Sequence, residues 1–208
     1  MMRIAELWRY PVKSMAGESL QVADVRETGI VGDRVVHVAN SVGRTVTSRT
    51  KPKLLGYQPT LGVDGEPLVD GRPWREFDVR NAAGPDARLV RDDGVERFDV
   101  LPLLVATDGA IAAFGYDRRR LRPNIVIGGV NGLDERHWEG KTLRTGEAVI
   151  GIQDLRERCI MTTFDPDTLV QDVDVLRKIR REFGGLLALN CYVVKGGTLR
   201  VGDEIELS

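Results

Sequence analysis

Two cysteines and two histidines are the whole supply of thiol and imidazole ligands in 208 residues. Cys159 and Cys191 stand 32 positions apart without CxxC spacing, which argues against a disulfide scaffold and against an iron–sulfur or zinc site. His37 and His137 add too little to change that. No apolar run approaches the roughly 20 residues of a membrane helix. The start, Met1-Met2-Arg3-Ile4-Ala5-Glu6-Leu7, lacks the charged-then-apolar pattern of a signal peptide. A soluble, cytoplasmic protein with no membrane partner is expected. Net charge is also missing, since 30 Lys and Arg face 31 Asp and Glu. With no global field to draw nucleic acid or acidic lipid, a negative ligand has to be met by basic groups gathered in a pocket.

What is present suits a sizeable core: 42% of the residues are hydrophobic, enough for one large domain or two intimately packed small ones. The first hundred residues read as short strands punctuated by Gly, Pro, Asn and Asp. Strands are expected over 4–10, 18–27, 34–40 and 44–48, the last two forming a hairpin across Ser41-Val42-Gly43. A helical turn is expected over 51–55. Further short strands are expected over 60–63, 75–80, 88–91 and 96–100. Runs this short and this often broken favour an antiparallel barrel or sandwich over a parallel sheet. Helices come later. Thr107-Asp108 can cap 109–114. Asp172 or Asp174 can cap a longer helix in which Val173, Leu176, Ile179 and Phe183 form the core-facing stripe before Gly184-Gly185. Its other face carries Arg177, Lys178, Arg180 and Arg181, an ordinary solvated surface or, less economically, a docking site for an acidic partner. Strands over 187–194 and 198–207 close the chain.

Four clusters carry chemistry. Tyr10-Pro11-Val12-Lys13-Ser14 is a strand followed by a Pro-set turn, where an ammonium and a hydroxyl side by side suit a phosphate; a plain surface loop is the alternative. Gly32-Asp33-Arg34 opens a strand with an arginine, or simply forms a surface ion pair. Arg118-Arg119-Arg120-Leu121-Arg122-Pro123-Asn124 is a basic run without the aromatic ladder of a nucleic-acid surface, and a local anion clamp using Arg122 and Asn124 explains it more economically. The proline holds the chain extended there. The fourth cluster is Arg158-Cys159 followed by Ile160-Met161-Thr162-Thr163-Phe164-Asp165-Pro166-Asp167-Thr168. A thiol beside a cation is placed to act as a soft, anionic ligand, and the hydroxyls and Asx-type turns that follow suit a pocket wall better than a core. Cys191, inside an apolar run, reads as a small buried hydrophobe.

These blocks, in this order and together with Gly197-Thr198-Leu199-Arg200-Val201-Gly202-Asp203-Glu204-Ile205-Glu206-Leu207, resemble the MOSC family, named after the C-terminal domain of molybdenum cofactor sulfurase. More narrowly they are similar to the branch containing the mitochondrial amidoxime-reducing component and its bacterial relatives. The resemblance implies a mainly β fold with a few helices: an N-terminal β-barrel domain over 1–100 packed with an antiparallel β-barrel MOSC domain over 101–208, with the N-terminal strands able to contribute to both. It implies the molybdenum cofactor (molybdopterin), with the metal bound by the thiolate of Cys159. Lys13, Ser14 and Arg34 would hold the pterin phosphate, Arg122 and Asn124 would line the cofactor, and Arg158 and, more weakly, Thr107 would add contacts.

Two positions depart from the family pattern. Glu157 stands where the reductase branch often has a small hydroxyl residue, and Leu169 where relatives commonly have Gly. The activity implied is reduction of an N-hydroxylated small molecule, with electrons from a separate ferredoxin- or flavodoxin-like protein because no such extension follows the domain. Two alternatives stand beside it: a sulfur carrier or sulfurtransferase with a persulfide on Cys159, and a non-catalytic carrier of the cofactor.

Overall fold

The computed structural model describes residues 1–92, 94 and 97–208. Its centre is a closed barrel of seven strands: β1 (Met2–Arg9), β2 (Leu103–Thr107), β3 (Ile125–Gly128), β4 (Thr142–Thr145), β5 (Ala148–Glu157), β6 (Leu186–Lys195) and β7 (Glu204–Leu207). Around the barrel the order is β3-β2-β6-β5-β4-β7-β1, and β1 pairs back onto β3 to close it. All pairings are antiparallel except β2 with β3, which run parallel. The strand nearest the N-terminus therefore seals a barrel otherwise made by the second half of the chain, pairing Leu7 with Ile125 and Met2 with Ile205.

The barrel core holds Ile4, Leu7, Leu103, Val105, Ile125, Ile127, Ile150, Ile152, Leu189 and Cys191. Ile4 and Leu7 are three apart, not two. A register shift between Ile4 and Glu6 absorbs the extra residue, as a β-bulge does, and returns Leu7 to the inner face. Beside the barrel, the N-terminal part builds a second core from Val12, Met15, Val36, Val38, Leu54, Val69 and Trp74. It is wrapped by one three-stranded sheet (Val36–Ala39, Thr45–Val46, Arg88–Arg91) and another (Pro59–Leu61, Pro67–Val69, Arg72–Pro73). A third small sheet joins Gly197–Arg200 to Val22–Arg26, so the two halves exchange strands in both directions.

Of three α-helices among the described residues, α1 (Arg80–Ala83) is a single turn, while α2 (Asp108–Phe114) and α3 (Val173–Phe183) share an apolar cluster with Leu121 and Leu187. The expected caps are in place: Thr107 Oγ1 accepts from Ala110 N–H, and Asp172 accepts from Asp174 N–H. The stripe of α3 differs from its expectation. Val175, Ile179 and Phe183, at i, i+4 and i+8, are buried, whereas Val173 is exposed, because two residues of helix turn it to the side opposite Val175. Of the basic residues expected on the other face, Arg177, Arg180 and Arg181 are exposed, with Arg177 paired to Asp174 and Arg181 to Glu182, whereas Lys178 folds back to donate to the Phe114 carbonyl at 2.9 Å.

The strand expected over 75–80 is a 3-10 helix (Trp74–Glu76) followed by α1. Trp74 turns inward, and the Asp78 carboxylate accepts from Arg80 N–H to start the helix. Of the strand expected over 96–100, Glu96 lies outside the described residues, and Phe98 to Val100 form bends. The run 18–27 breaks at Gln21 into Glu18–Leu20 and Val22–Arg26, and 198–207 breaks into Gly197–Arg200 and β7. No described helix is long and apolar enough to cross a membrane.

Candidate functional site

Lys13, Ser14, Arg34, Arg122, Asn124, Arg158 and Cys159 all line one pocket, of about 780 Å³ counting its open mouth. They arrive on four separate stretches of chain, and Tyr10 ties three of these together. Its backbone N–H donates to Asp33 Oδ1 (2.7 Å), its carbonyl accepts from Arg34 N–H (2.7 Å), and its hydroxyl donates to the Pro123 carbonyl (3.0 Å). The Arg34 and Arg122 guanidiniums lie against its ring, 4.9 and 4.3 Å from the centroid. Burial pushes the Tyr10 phenol up to about 12, so it stays neutral between the two cations.

Ser14, Arg34 and Arg122 each adopt a left-handed backbone, with φ of 72°, 54° and 57°. Six non-glycine residues do so among those described, and half of them line this pocket. Each such residue costs roughly 1–2 kcal/mol relative to a right-handed one. Strain concentrated this way marks a site whose side chains are aimed at the expense of stability.

The pocket is strongly basic, and one carboxylate partly neutralises it. Asp99 meets Lys13 Nζ at 2.9 Å, Arg49 at 2.8 Å and Arg156 at 3.6 Å. Burial would raise its pKa, but Lys13 first, then Arg49 and Arg156, hold it below the usual carboxylate range. Burial would likewise lower the pKa of Arg49, but Asp99 and then the sulfur of Cys159 raise it. Burial brings Arg122 and Arg158 down to about 10, which leaves both cationic at neutral pH. Arg158 donates to the Leu121 carbonyl (2.7 Å), while its Nε is buried without a partner. Arg34 is held by the fully buried carboxylate of Asp33 and reaches Asn124 Oδ1 at 3.4 Å.

Cys159, half-buried, sits where β5 gives way to the 3-10 turn Ile160–Thr163. The segment Arg118–Arg122 holds it from both sides. Arg158 reaches into that segment at Leu121, and Arg120 reaches out of it to the Thr163 carbonyl (3.0 Å), the Thr162 carbonyl (3.4 Å) and Asp165 (2.9 Å). The hydroxyls expected to face the pocket do something else. Thr162 donates to the Cys159 carbonyl (2.8 Å) and Thr163 to the Ile160 carbonyl (2.7 Å), fastening the turn to itself. Asp165 Oδ1 accepts from the backbone N–H of Asp167 and Thr168, the expected Asx turn.

The partners of several other residues differ from expectation. Of the basic run, Arg118 is spent on Glu6 and Arg119 on Asp117 and Asp167, so the anion clamp narrows to Arg122. Asn124 lies in the pocket, but its amide is a latch: Oδ1 accepts from Leu104 N–H (3.1 Å) and Nδ2 donates to the Trp8 carbonyl (3.3 Å), tying β1, β2 and β3 together. Thr107 does not reach the pocket; it caps α2 and donates to Glu135 at 3.2 Å. Glu157 is exposed at the pocket lip. Leu169 keeps a left-handed backbone (φ 58°), the conformation a glycine would favour there.

Sequence reasoning missed Arg49, Arg156, Asp99 and the role of Tyr10. Arg156 carried a local signal, since it is two residues before Arg158 on an extended segment and so shares its side. Arg49 and Asp99 carried none.

A soft thiol, an excess of cations and a buried guanidinium nitrogen without a partner fit an anionic, metal-bearing organic ligand. Among the described residues no three His, Cys, Asp or Glu side chains gather to hold a metal ion, so a metal at Cys159 would depend on donors brought by such a ligand.

A family model of the MOSC N-terminal beta barrel domain matches residues 1–99, and one of the MOSC domain matches residues 109–206. Mitochondrial amidoxime reducing component 2 of Macaca fascicularis is 26% identical over 282 residues, covering 97% of this chain and 82% of its own length. Mitochondrial amidoxime-reducing component 1 of Homo sapiens is 25% identical over 286 residues, covering 98% and 82%. Both alignments are longer than this chain, so those relatives carry insertions between the matched segments. Among solved structures, the YUAD protein of Bacillus subtilis shares the fold, with a TM-score of 0.57, 15% identity, and coverage of 100% of this chain and 96% of its own.

Proposed function

Since the chain belongs to the MOSC family and carries both the N-terminal β-barrel domain and the MOSC domain, we propose that it is a molybdenum-cofactor-dependent oxidoreductase acting on N-hydroxylated small molecules. The names of its curated relatives describe reduction of amidoximes. The observation that carries the proposal is the meeting of Lys13, Ser14, Arg34, Arg122, Asn124 and Arg158 around Cys159 in one pocket. When bound, the cofactor supplies two-electron removal of oxygen: the N–O bond breaks, two protons are taken up, water leaves, and a separate ferredoxin- or flavodoxin-like protein restores the electrons.

The chain's own residues bind and aim. Cys159 offers the thiolate to the metal. Lys13 and Arg34 meet the phosphate charge with Ser14 as a hydroxyl donor, and Arg158 Nε is a donor waiting for an acceptor. Asn124 holds the three strands beneath, and Asp99 gathers Lys13, Arg49 and Arg156 around one carboxylate. In protein produced in a host that makes the cofactor, molybdenum and pterin are expected at near one per chain, and Cys159→Ala is expected to lose the metal and all turnover of an N-hydroxylated substrate. Absence of molybdenum from both proteins would rule the proposal out.

The cations around the sulfur also support a second reading, a persulfide on Cys159, because Arg49, Arg156 and Arg158 would stabilise any anionic sulfur. A Cys159-dependent mass increase of one sulfur after incubation with a sulfur donor would favour it. Pterin retained without turnover would favour a cofactor carrier.

A further inference from the structure

Arg49 and Arg156 are left over once Lys13, Ser14, Arg34, Arg122 and Arg158 are given to the cofactor, yet both line the same pocket. Arg156 lies on β5 three residues before Cys159, and Arg49 follows the strand Thr45–Val46. The Cys159 sulfur favours the charge on each, and Arg49 is within hydrogen-bond reach of it.

The two are unevenly satisfied. Arg49 donates to Asp99 Oδ2 at 2.8 Å. Arg156 is set deeper, its side chain 18% exposed against 43% for Arg49, but its polar contacts are long: 3.6 Å to Asp99 and 3.4 Å to Asn190 Oδ1. A guanidinium presents five N–H donors in a planar fork, so most of those on Arg156 have no close acceptor among the described residues. Burial opposes its charge most, Asp99 and the Cys159 sulfur offset part of this, and Arg49 and Arg34 add to it. Lys13 shares Asp99 at 2.9 Å. Once Lys13 is drawn to a phosphate, two guanidiniums answer to one carboxylate. Glu157, the other carboxylate in the lining, is exposed at the lip and pairs with neither arginine. Asp99 itself shows what chemistry fits, because a carboxylate already lies against Arg49 and within 3.6 Å of Arg156.

We propose that Arg156, with Arg49 beside it, forms an anion subsite next to Cys159 that receives a carboxylate carried by the substrate. The planar fork of Arg156 can meet both carboxylate oxygens at once. Asp99 repels this second carboxylate and so limits its affinity. Naming a carboxylate-bearing substrate rests on the reductase proposed above, whereas the subsite rests on the arginines.

The test uses the holoprotein and two N-hydroxylated compounds of the same head and length, one ending in a carboxylate and one in the isosteric carboxamide. Affinities are read by calorimetry, apart from turnover. The carboxylate compound is expected to bind at least about tenfold more tightly, as charged hydrogen bonds allow. Arg156→Gln is expected to bring the ratio to about one with pterin retained, and Arg156→Lys to recover only part of it, because an ammonium lacks the fork. Asp99→Asn is expected to widen it. Should Arg156→Gln fail to fold, Arg49→Gln on a separate segment is expected to narrow the ratio as well. Equal affinities in the wild type overturn the subsite, as does a ratio unmoved by both arginine variants. Loss of pterin in Arg156→Gln also overturns it, because that arginine would then serve the cofactor's own phosphate. Protein without molybdenum or pterin ends the reductase reading alone, since a carboxylate preference lost in Arg156→Gln and kept in Arg34→Gln still upholds the subsite.

Discussion

Cys159 and Cys191 are opposites because of what surrounds them. Cys191 faces the barrel interior between Leu103 and Ile152, and burial, with help from Asp154, pushes its thiol well above the usual thiol range. It is a packing atom. Cys191→Ala is expected to cost about 1–2 kcal/mol in thermal or denaturant unfolding and to leave pterin content unchanged, the reverse of Cys159→Ala.

Asp99 is the other decisive residue, since it is the anion the pocket carries for itself. Asp99→Asn is expected to tighten inorganic phosphate binding in protein stripped of cofactor, measurable by calorimetry, because Lys13, Arg49 and Arg156 lose their internal partner. The sign of its pH effect follows from a carboxyl held low in the folded state. Its contribution to stability is full above the unfolded value of about 3.9 and is lost as pH falls through the lower folded value. The stability gap between wild type and Asp99→Asn is therefore expected to close below about pH 4. None of this was legible in Phe98-Asp99-Val100, where no local pattern marks an acid that will meet three cations from distant segments. Lys13, Ser14, Arg34 and Arg158 were legible because each sits in a motif block whose spacing is itself informative.

Among the elements, the basic run Arg118–Arg122 changes character most. Read along the chain it is a row of like charges. In the fold three of its arginines pair outward, and Arg120 with Arg158 makes a crossed clasp over Cys159. Arg120→Gln removes a fork that holds two carbonyls and a carboxylate, a loss of about 2 kcal/mol by the worth of charged hydrogen bonds. Alkylation of Cys159 is expected to accelerate in Arg120→Gln under conditions where the protein remains folded, with Arg120→Lys only partly restoring protection, because an ammonium lacks the planar fork. Unchanged alkylation would confine Arg120 to global stability. Helix α3 was legible by its caps and period. Ile179 and Phe183 of its expected stripe are buried, but Val173 at its first turn imitates a core position that Val175 fills.

For the whole molecule, most of the strands could be read locally, whereas their partners could not, because strand pairing is set by contacts far apart in sequence. The resemblance marked a boundary near residue 100, but three pairings cross it: β1 with β3, β1 with β7, and Val22–Arg26 with Gly197–Arg200. A fragment of residues 101–208 lacks the strand that seals its barrel and is expected to show no cooperative thermal transition. Adding residues 1–100 as a separate chain is expected to restore one, visible by circular dichroism. Independent folding of the fragment would mean that β1 decorates the barrel without completing it.

The pairing of Met2 with Ile205 also sets a timetable. During synthesis the C-terminal half of β1 can pair at once with Glu18–Leu20, but its other edge waits for β3 and Met2 waits for Ile205, a long-range closure of the kind that folds slowly and exposes strand edges meanwhile. Cys159 and Lys13 cannot face each other across a finished pocket until then. A cofactor taken into this pocket would therefore be loaded only after Ile205 has sealed the barrel, in competition with aggregation of the unsealed form.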